Sequence, residues 1–349
     1  MAVRPAGRAR MAAAGLVLAA ALVSAGCSIN PDWQLTRTDA PAGTLLLDTP
    51  FHPQTDYQCG PAALATVLGA SGAGVTPESL VPQVYLPGRE GSLQLELVAA
   101  TRRAGRIPYV IDREPQALLD ELHAGRPVLV LQNLLVRTVP RWHYAVVVGV
   151  DAGANRLLLN SGTEQGLEVA APKFLRTWDW AGRWGLLSLR PGEVPARADP
   201  VRYLAAVADF EQVAGAEAAA PAYAAALRRW PGEPRAHLAM GNQAYAAGTL
   251  EQAAVHYRDG LALAPEDAVL GNNYASALGE LGCRAQAREV IAAALESHPA
   301  DGPWRAELEA TRGELDAAGE TVGPNRICAR HGRPAAGQAA PRGGVRSRG

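Results

Sequence analysis

The strongest constraint in this sequence is a spacing. Pro231, Pro265 and Pro299 stand 34 residues apart, and so do Ala219, Ala253 and Ala287, and Leu227, Leu261 and Leu295. Gly248 and Gly282 share the step, as do Tyr223 and Tyr257, with Ile291 continuing that column. A step of this length is two antiparallel helices and their turns, so the C-terminal half is expected to stack helical pairs. Small residues let the paired helices approach, and a proline stops the second helix of each unit. Residues 201–318 are assigned to the array. They hold three units and a final helix from about Pro303 to Ala317, about the number of repeats a stable stack needs.

The second unit, Ala236 to Pro265, carries a family pattern. Gly241 takes the small position of its first helix and Gly248 the turn; Ala253, Tyr257 and Pro265 take the small, aromatic and terminating positions of its second. This resembles the tetratricopeptide repeat. It departs at Gly260, where Ala is usual, and Gly215 lies one place out of register in the first unit. The resemblance implies an all-α solenoid with a concave groove for a protein partner.

Ahead of the repeats the composition changes. Pro191 to Pro200 carries three Pro and one Gly in ten positions, and residues 192–200 read as a linker. Residues 44–191 read as mixed α and β. Strands are expected at Thr44 to Leu47, Val128 to Leu131, Tyr144 to Val150, Arg156 to Leu159 and Trp184 to Leu189. Helices are expected over Cys59 to Leu68, Ser92 to Ala104 with Ser92 as N-cap, Pro115 to Ala124 and Phe174 to Trp178. Tyr144 to Val150 is an almost unbroken apolar run, as a strand buried on both faces requires.

The first 27 residues read as a targeting segment. Arg4, Arg8 and Arg10 precede an uncharged run from Met11 to Ala25, too short to span a bilayer, which takes about 20 residues. The run ends in Ser24-Ala25-Gly26-Cys27. This resembles a bacterial lipobox and implies Cys27 as the lipidated first residue of the mature chain, with Ser24 where an aliphatic residue is usual. Ordinary cleavage after Ala25 is the alternative. Ser28 in the following place resembles the outer-membrane sorting pattern. The expectation is a lipoprotein of the cell envelope, on the outer membrane facing the periplasm, with residues 28–43 as tether. Residues 319–349, rich in Gly, Arg and Pro, read as a disordered tail.

Charge excludes one class of partner: 33 basic against 34 acidic residues give no reason to expect nucleic acid. The four cysteines, Cys27, Cys59, Cys283 and Cys328, form no C-x-x-C pair and suggest neither a zinc site nor a disulfide framework. Cys283 reads as core filling and Cys328 as incidental. No cofactor or metal is expected. His52, His123, His237, His256, His298 and His331 have no partner motif. Trp178, Trp180 and Trp184 read as packing or cleft lining.

Cys59 differs from the other cysteines. It opens an apolar helix, where the positive end of the helix dipole favours thiolate. Gly60 leaves the approach open and Pro61 suits the first turn. Gln54 and Gln58 could each offer a side-chain N–H to an oxyanion. Gln54-x4-Cys59-Gly60-Pro61-Ala62-Ala63-Leu64-Ala65 resembles the papain-like bacteriocin-processing peptidases, which cleave double-glycine leaders. The resemblance covers roughly Leu45 to Leu189 and implies an α+β papain-like peptidase domain. It puts the nucleophile on Cys59, the oxyanion role on Gln54 and the general base on His143, which opens Trp142-His143-Tyr144-Ala145-Val146-Val147-Val148. The third member, an Asp in the family, falls on Asn160. An Asn can orient an imidazole as in the papain group but cannot stabilise imidazolium as a carboxylate would.

The sequence therefore reads as a cysteine peptidase acting on a peptide or protein through a thioester, membrane-held by a lipid anchor. Acyl transfer to an amine would use the same residues. A competing reading is a catalytically weak or inactive scaffold lipoprotein. No transporter segment accompanies the domain, which argues against double-glycine leaders as substrate.

Overall fold

The computed structural model describes residues 31–36, 43–53, 58–318 and 328–329. The targeting segment with Cys27, the oxyanion candidate Gln54 and most of the tail lie outside them. Among the described residues no helix is long and apolar enough to cross a membrane.

The N-terminal half is built on a seven-stranded antiparallel sheet in the order β4-β9-β5-β6-β7-β8. The strands are β4 (Ile107–Val110), β5 (Val128–Asn133), β6 (Trp142–Asp151), β7 (Arg156–Ser161), β8 (Glu164–Ala170) and β9 (Gly185–Leu189). The short β1 (Thr44–Leu46) pairs with the far end of β6, Leu45 opposite Val150. A two-stranded hairpin, β2 (Tyr85–Leu86) and β3 (Gly91–Ser92), stands apart from the sheet.

Alternation along the strands divides the core in two. Leu129, Leu131, Tyr144, Val146, Val148 and Leu158 pack with α1 (Cys59–Ala70), α2 (Pro77–Val84) and α3 (Gln94–Arg103) through Leu64, Leu68, Leu80 and Leu97. Val128, Val130, Ala145, Val147, Leu157 and Leu159 pack with α4 (Pro115–His123) and α5 (Ala171–Asp179) through Leu118, Leu122, Phe174 and Trp178. Both faces are covered, which is why Tyr144 to Val150 is apolar at nearly every position.

The helices of the C-terminal half keep the 34-residue step. α6 (Pro200–Ala214) and α7 (Ala216–Arg229) form a first pair, followed by α8 (Pro234–Ala246) with α9 (Leu250–Leu263) and α10 (Ala268–Glu280) with α11 (Arg284–Ser297). α12 (Arg305–Ala317) closes the series. The second helices begin at 216, 250 and 284, the positions the spacing demands. Gly241 shows why a small residue is needed: an added Cβ would stand 2.3 Å from the Tyr257 ring.

Two sequence expectations change. The segment read as linker is docked on the N-terminal half. The Ala196 N–H donates to Glu121 at 2.7 Å, and Arg197 donates to Asp120 at 2.6 Å. Arg202 on α6 donates to Asp112 at 2.5 Å, and Tyr203, Leu204, Val207 and Phe210 join the core that holds Ile107 and Tyr109. Proline and glycine mark a chain that is not helix or strand; they do not say whether it is bound. The second change is a disulfide between Cys283 and Cys328, Cα atoms 5.2 Å apart. Cys283 is buried in the core of the last pairs, as filling requires, but the tail cysteine is its partner. A separation of 45 residues carries no pairing signal in the sequence.

Candidate active site

α1 begins at Cys59, and residues 60–68 behind it are all buried. Gly60 is where β3 comes closest: an added Cβ would lie 2.2 Å from Ser92 Oγ. This contact explains a misread boundary, because Ser92 forms part of β3 and does not cap the following helix, which starts at Gln94.

Cys59 is half-buried and unbonded to any other cysteine among the described residues. Backbone N–H groups of Tyr144, Gly60 and Cys59 itself favour its thiolate, but desolvation outweighs them and holds the thiol above its ordinary range. The helix end alone suggests the opposite shift; burial by the cleft walls reverses it.

His143 is the second residue of β6. The loop before it is braced by a buried side chain that sequence reasoning missed. Asn133 accepts from the N–H of Leu135 at 3.2 Å and of Arg141 at 2.9 Å, and donates to the Val136 carbonyl at 3.1 Å. The start of the histidine strand is thus fixed from inside. Burial, and next the positive field of Arg141, lower the His143 pKa, so the ring is neutral at neutral pH.

Cys59 and His143 line one cleft of about 1030 Å³. Glu90, Gly91, Ser92 and Leu93 form one wall; Arg141, Trp142 and Tyr144 form another, with Gly162 and Thr163 of the β7–β8 turn. No hydrogen bond links Cys59 to His143 among the described residues. The backbone N–H of Tyr144, the residue after the histidine, is instead the group that most favours the thiolate.

Asn160, the expected third member, is engaged elsewhere. Its Nδ2 donates to Thr49 Oγ1 at 3.1 Å and its Oδ1 accepts from the Gly166 N–H at 3.1 Å. The partner of His143 is Ser161, whose Oγ lies 2.8 Å from Nε2. The pleat is the reason. Asn160 shares the face of Leu158, toward α1, whereas Ser161 shares the face of Leu157 and Leu159. Ser161 sits diagonally across from His143 on the neighbouring strand, since Val146 pairs with Asn160. Counting along β7 against β6 could have found this; alignment to a motif passes over it.

Gln54 lies outside the described residues, and Gln58 precedes α1 without a side-chain capping bond. Among the described residues no group of three or more His, Cys, Asp or Glu could hold a metal ion.

No family model and no curated protein matches the chain. Among solved structures it is similar to a double glycine motif protease from an AMS/PCAT transporter in complex with the leader peptide. The identity is 20%, the TM-score 0.33, and the match covers 41% of this chain and 91% of that one. It is also similar to a C39-like peptidase from Bacillus anthracis, at 16% identity and a TM-score of 0.35, over 41% of this chain and 96% of that one.

Proposed function

We propose that this chain is a cysteine peptidase with Cys59 as nucleophile and His143 as base and then acid. One observation carries the reading: a cysteine at a helix start and a histidine at a strand start line the same cleft. His143 withdraws the Sγ proton as sulfur bonds to the substrate carbonyl carbon. The oxyanion is held by the Cys59 N–H, with Gln54 assigned as second donor. Collapse expels the amine, which takes its proton from His143, and leaves a thioester. Water then gives a proton to His143 and attacks the thioester, releasing the acid and the thiol.

Helices α6 to α12 are read as tetratricopeptide repeats whose groove holds a protein partner or the substrate. Cys27 is read as the lipid-bearing residue, and the envelope as the site of action. The Cys283–Cys328 bond supports export, because such bonds persist in oxidising compartments.

The test is a peptide library combined with an electrophilic peptide probe read by mass spectrometry. Cleavage and a covalent adduct on Cys59 are expected, both lost in Cys59→Ala and reduced by ~10²-fold or more in His143→Ala. Cleavage by Cys59→Ala overturns the reading. The missing Cys59–His143 bond and the raised thiol favour a second reading, a scaffold that keeps the fold without turnover. An unreactive thiol together with no cleavage selects it. Products made with an added amine separate hydrolysis from acyl transfer.

A further inference from the structure

The geometry points to Ser161, not Asn160, as the positioning residue of His143. The inference rests on the peptidase reading and extends it to how the site is held between turnovers.

A histidine that accepts a proton through one ring nitrogen must carry hydrogen on the other. Ser161 Oγ is 2.8 Å from Nε2, and no other hydrogen bond reaches this ring among the described residues. A hydroxyl there can accept from Nε2–H, which leaves Nδ1 as the ring's unprotonated nitrogen. Asn160 cannot share this task, since both ends of its amide are bonded to Thr49 and Gly166.

The chemical difference from a carboxylate is charge. Arg141, two residues back on the chain, acts on the ring with a positive field. α1 brings Cys59, β7 brings Ser161, and among the described residues the carboxylate lining the cleft, Glu90, stands on the wall formed by the hairpin. Among the described residues the ring's hydrogen-bond partner is the neutral Ser161 hydroxyl, which gives an imidazolium no counter-charge.

The experiment uses the full chain and two readouts, one of them independent of substrate. Two-bond 1H–15N spectra report the tautomer of His143, whose signals are assigned by their loss in His143→Gln. The Nε2–H tautomer is expected in wild type and in Ser161→Thr, and a mixture in Ser161→Ala. Ser161→Ala should lower kcat by ~10- to 100-fold with little change in KM, and Ser161→Thr should recover most of it. Ser161→Asp should raise iodoacetamide alkylation of Cys59 at pH 6 by ~10-fold or more, by giving the imidazolium a counter-charge. An unchanged tautomer in Ser161→Ala overturns the proposal. So does a tautomer lost in Asn160→Ala but kept in Ser161→Ala, or a Ser161→Asp thiol no more reactive than wild type. If no peptide is cleaved by any variant, the spectra and alkylation still decide the role of Ser161. Failure of the peptidase reading is thereby kept distinct.

Discussion

The Tyr144 hydroxyl donates to the Ser92 carbonyl at 3.2 Å and ties the strand that carries the histidine to the opposite wall of the cleft. The backbone N–H of the same residue favours the Cys59 thiolate, so one tyrosine bears on both the sulfur and the width of the opening. Tyr144→Phe keeps the ring packed edge-on to Trp184 and removes only the tie. A loss of about 1 kcal/mol in stability is expected, with a raised KM and a nearly unchanged kcat. Thermal unfolding and steady-state kinetics check it; an unchanged midpoint and KM would show that the tie does not hold the wall.

The pH dependence follows from two opposed shifts. Burial raises the Cys59 thiol and lowers His143, so both groups prefer the neutral form in the folded chain. For the thiol, the stabilisation is fully present below the unfolded value of about 8.5 and is lost as pH rises through the higher folded value. For the imidazole it is present above about 6.5 and is lost as pH falls through the lower folded value. The profile of kcat/KM should therefore be flat between these values, with its acid limb below about 6.5 and its basic limb above about 8.5. An ion pair at rest would instead show a basic limb set by imidazolium and a thiolate that alkylates at pH 5.

Cys328→Ser removes the disulfide without opening a cavity in the core. Chain-entropy arguments for a loop of 45 residues give about 4 kcal/mol, an upper figure where strain or residual structure intervenes. Calorimetry should show a lower transition for the last helices, and a reducing agent should reproduce it in wild type. Cleavage by Cys59 is expected to be unaffected, and peptide mapping without reductant should recover the linked pair.

Gly60→Ala drives a methyl into Ser92, whose Oγ and Cβ would lie 2.2 and 2.6 Å away. A cost of roughly 1–3 kcal/mol and loss of activity are expected. Ser92→Gly in the same chain clears both atoms and should restore most of the stability. If the double variant melts no higher than Gly60→Ala alone, the clash lies elsewhere.

The parts of this molecule that were legible in the sequence are those set by repetition or unbroken burial. The 34-residue step located the second helices because each must bury one face on its neighbour. The apolar run after His143 located β6 because both its faces are covered. The hairpin of β2 and β3 escaped, since two-residue strands leave no alternation to read. α2 escaped because Pro82 sits inside it. Asn133 and Ser161 escaped because their value comes from partners across a loop or a strand, 8 and 18 residues away. Asn160 was chosen by motif alone. The pleat turns adjacent residues to opposite faces, and the hydrogen bond to His143 comes from its neighbour Ser161.

The docking of α6 on the sheet has a mechanical consequence. Because Tyr203, Val207 and Phe210 share a core with Tyr109 and Ile107, a cut at 199 would leave an open apolar wound and not a free-standing domain. The seam also transmits orientation. On the proposed function, a protein gripped by the helices would meet the cleft at a set reach and angle, and the joint would act as a ruler for where along a bound chain Cys59 can act.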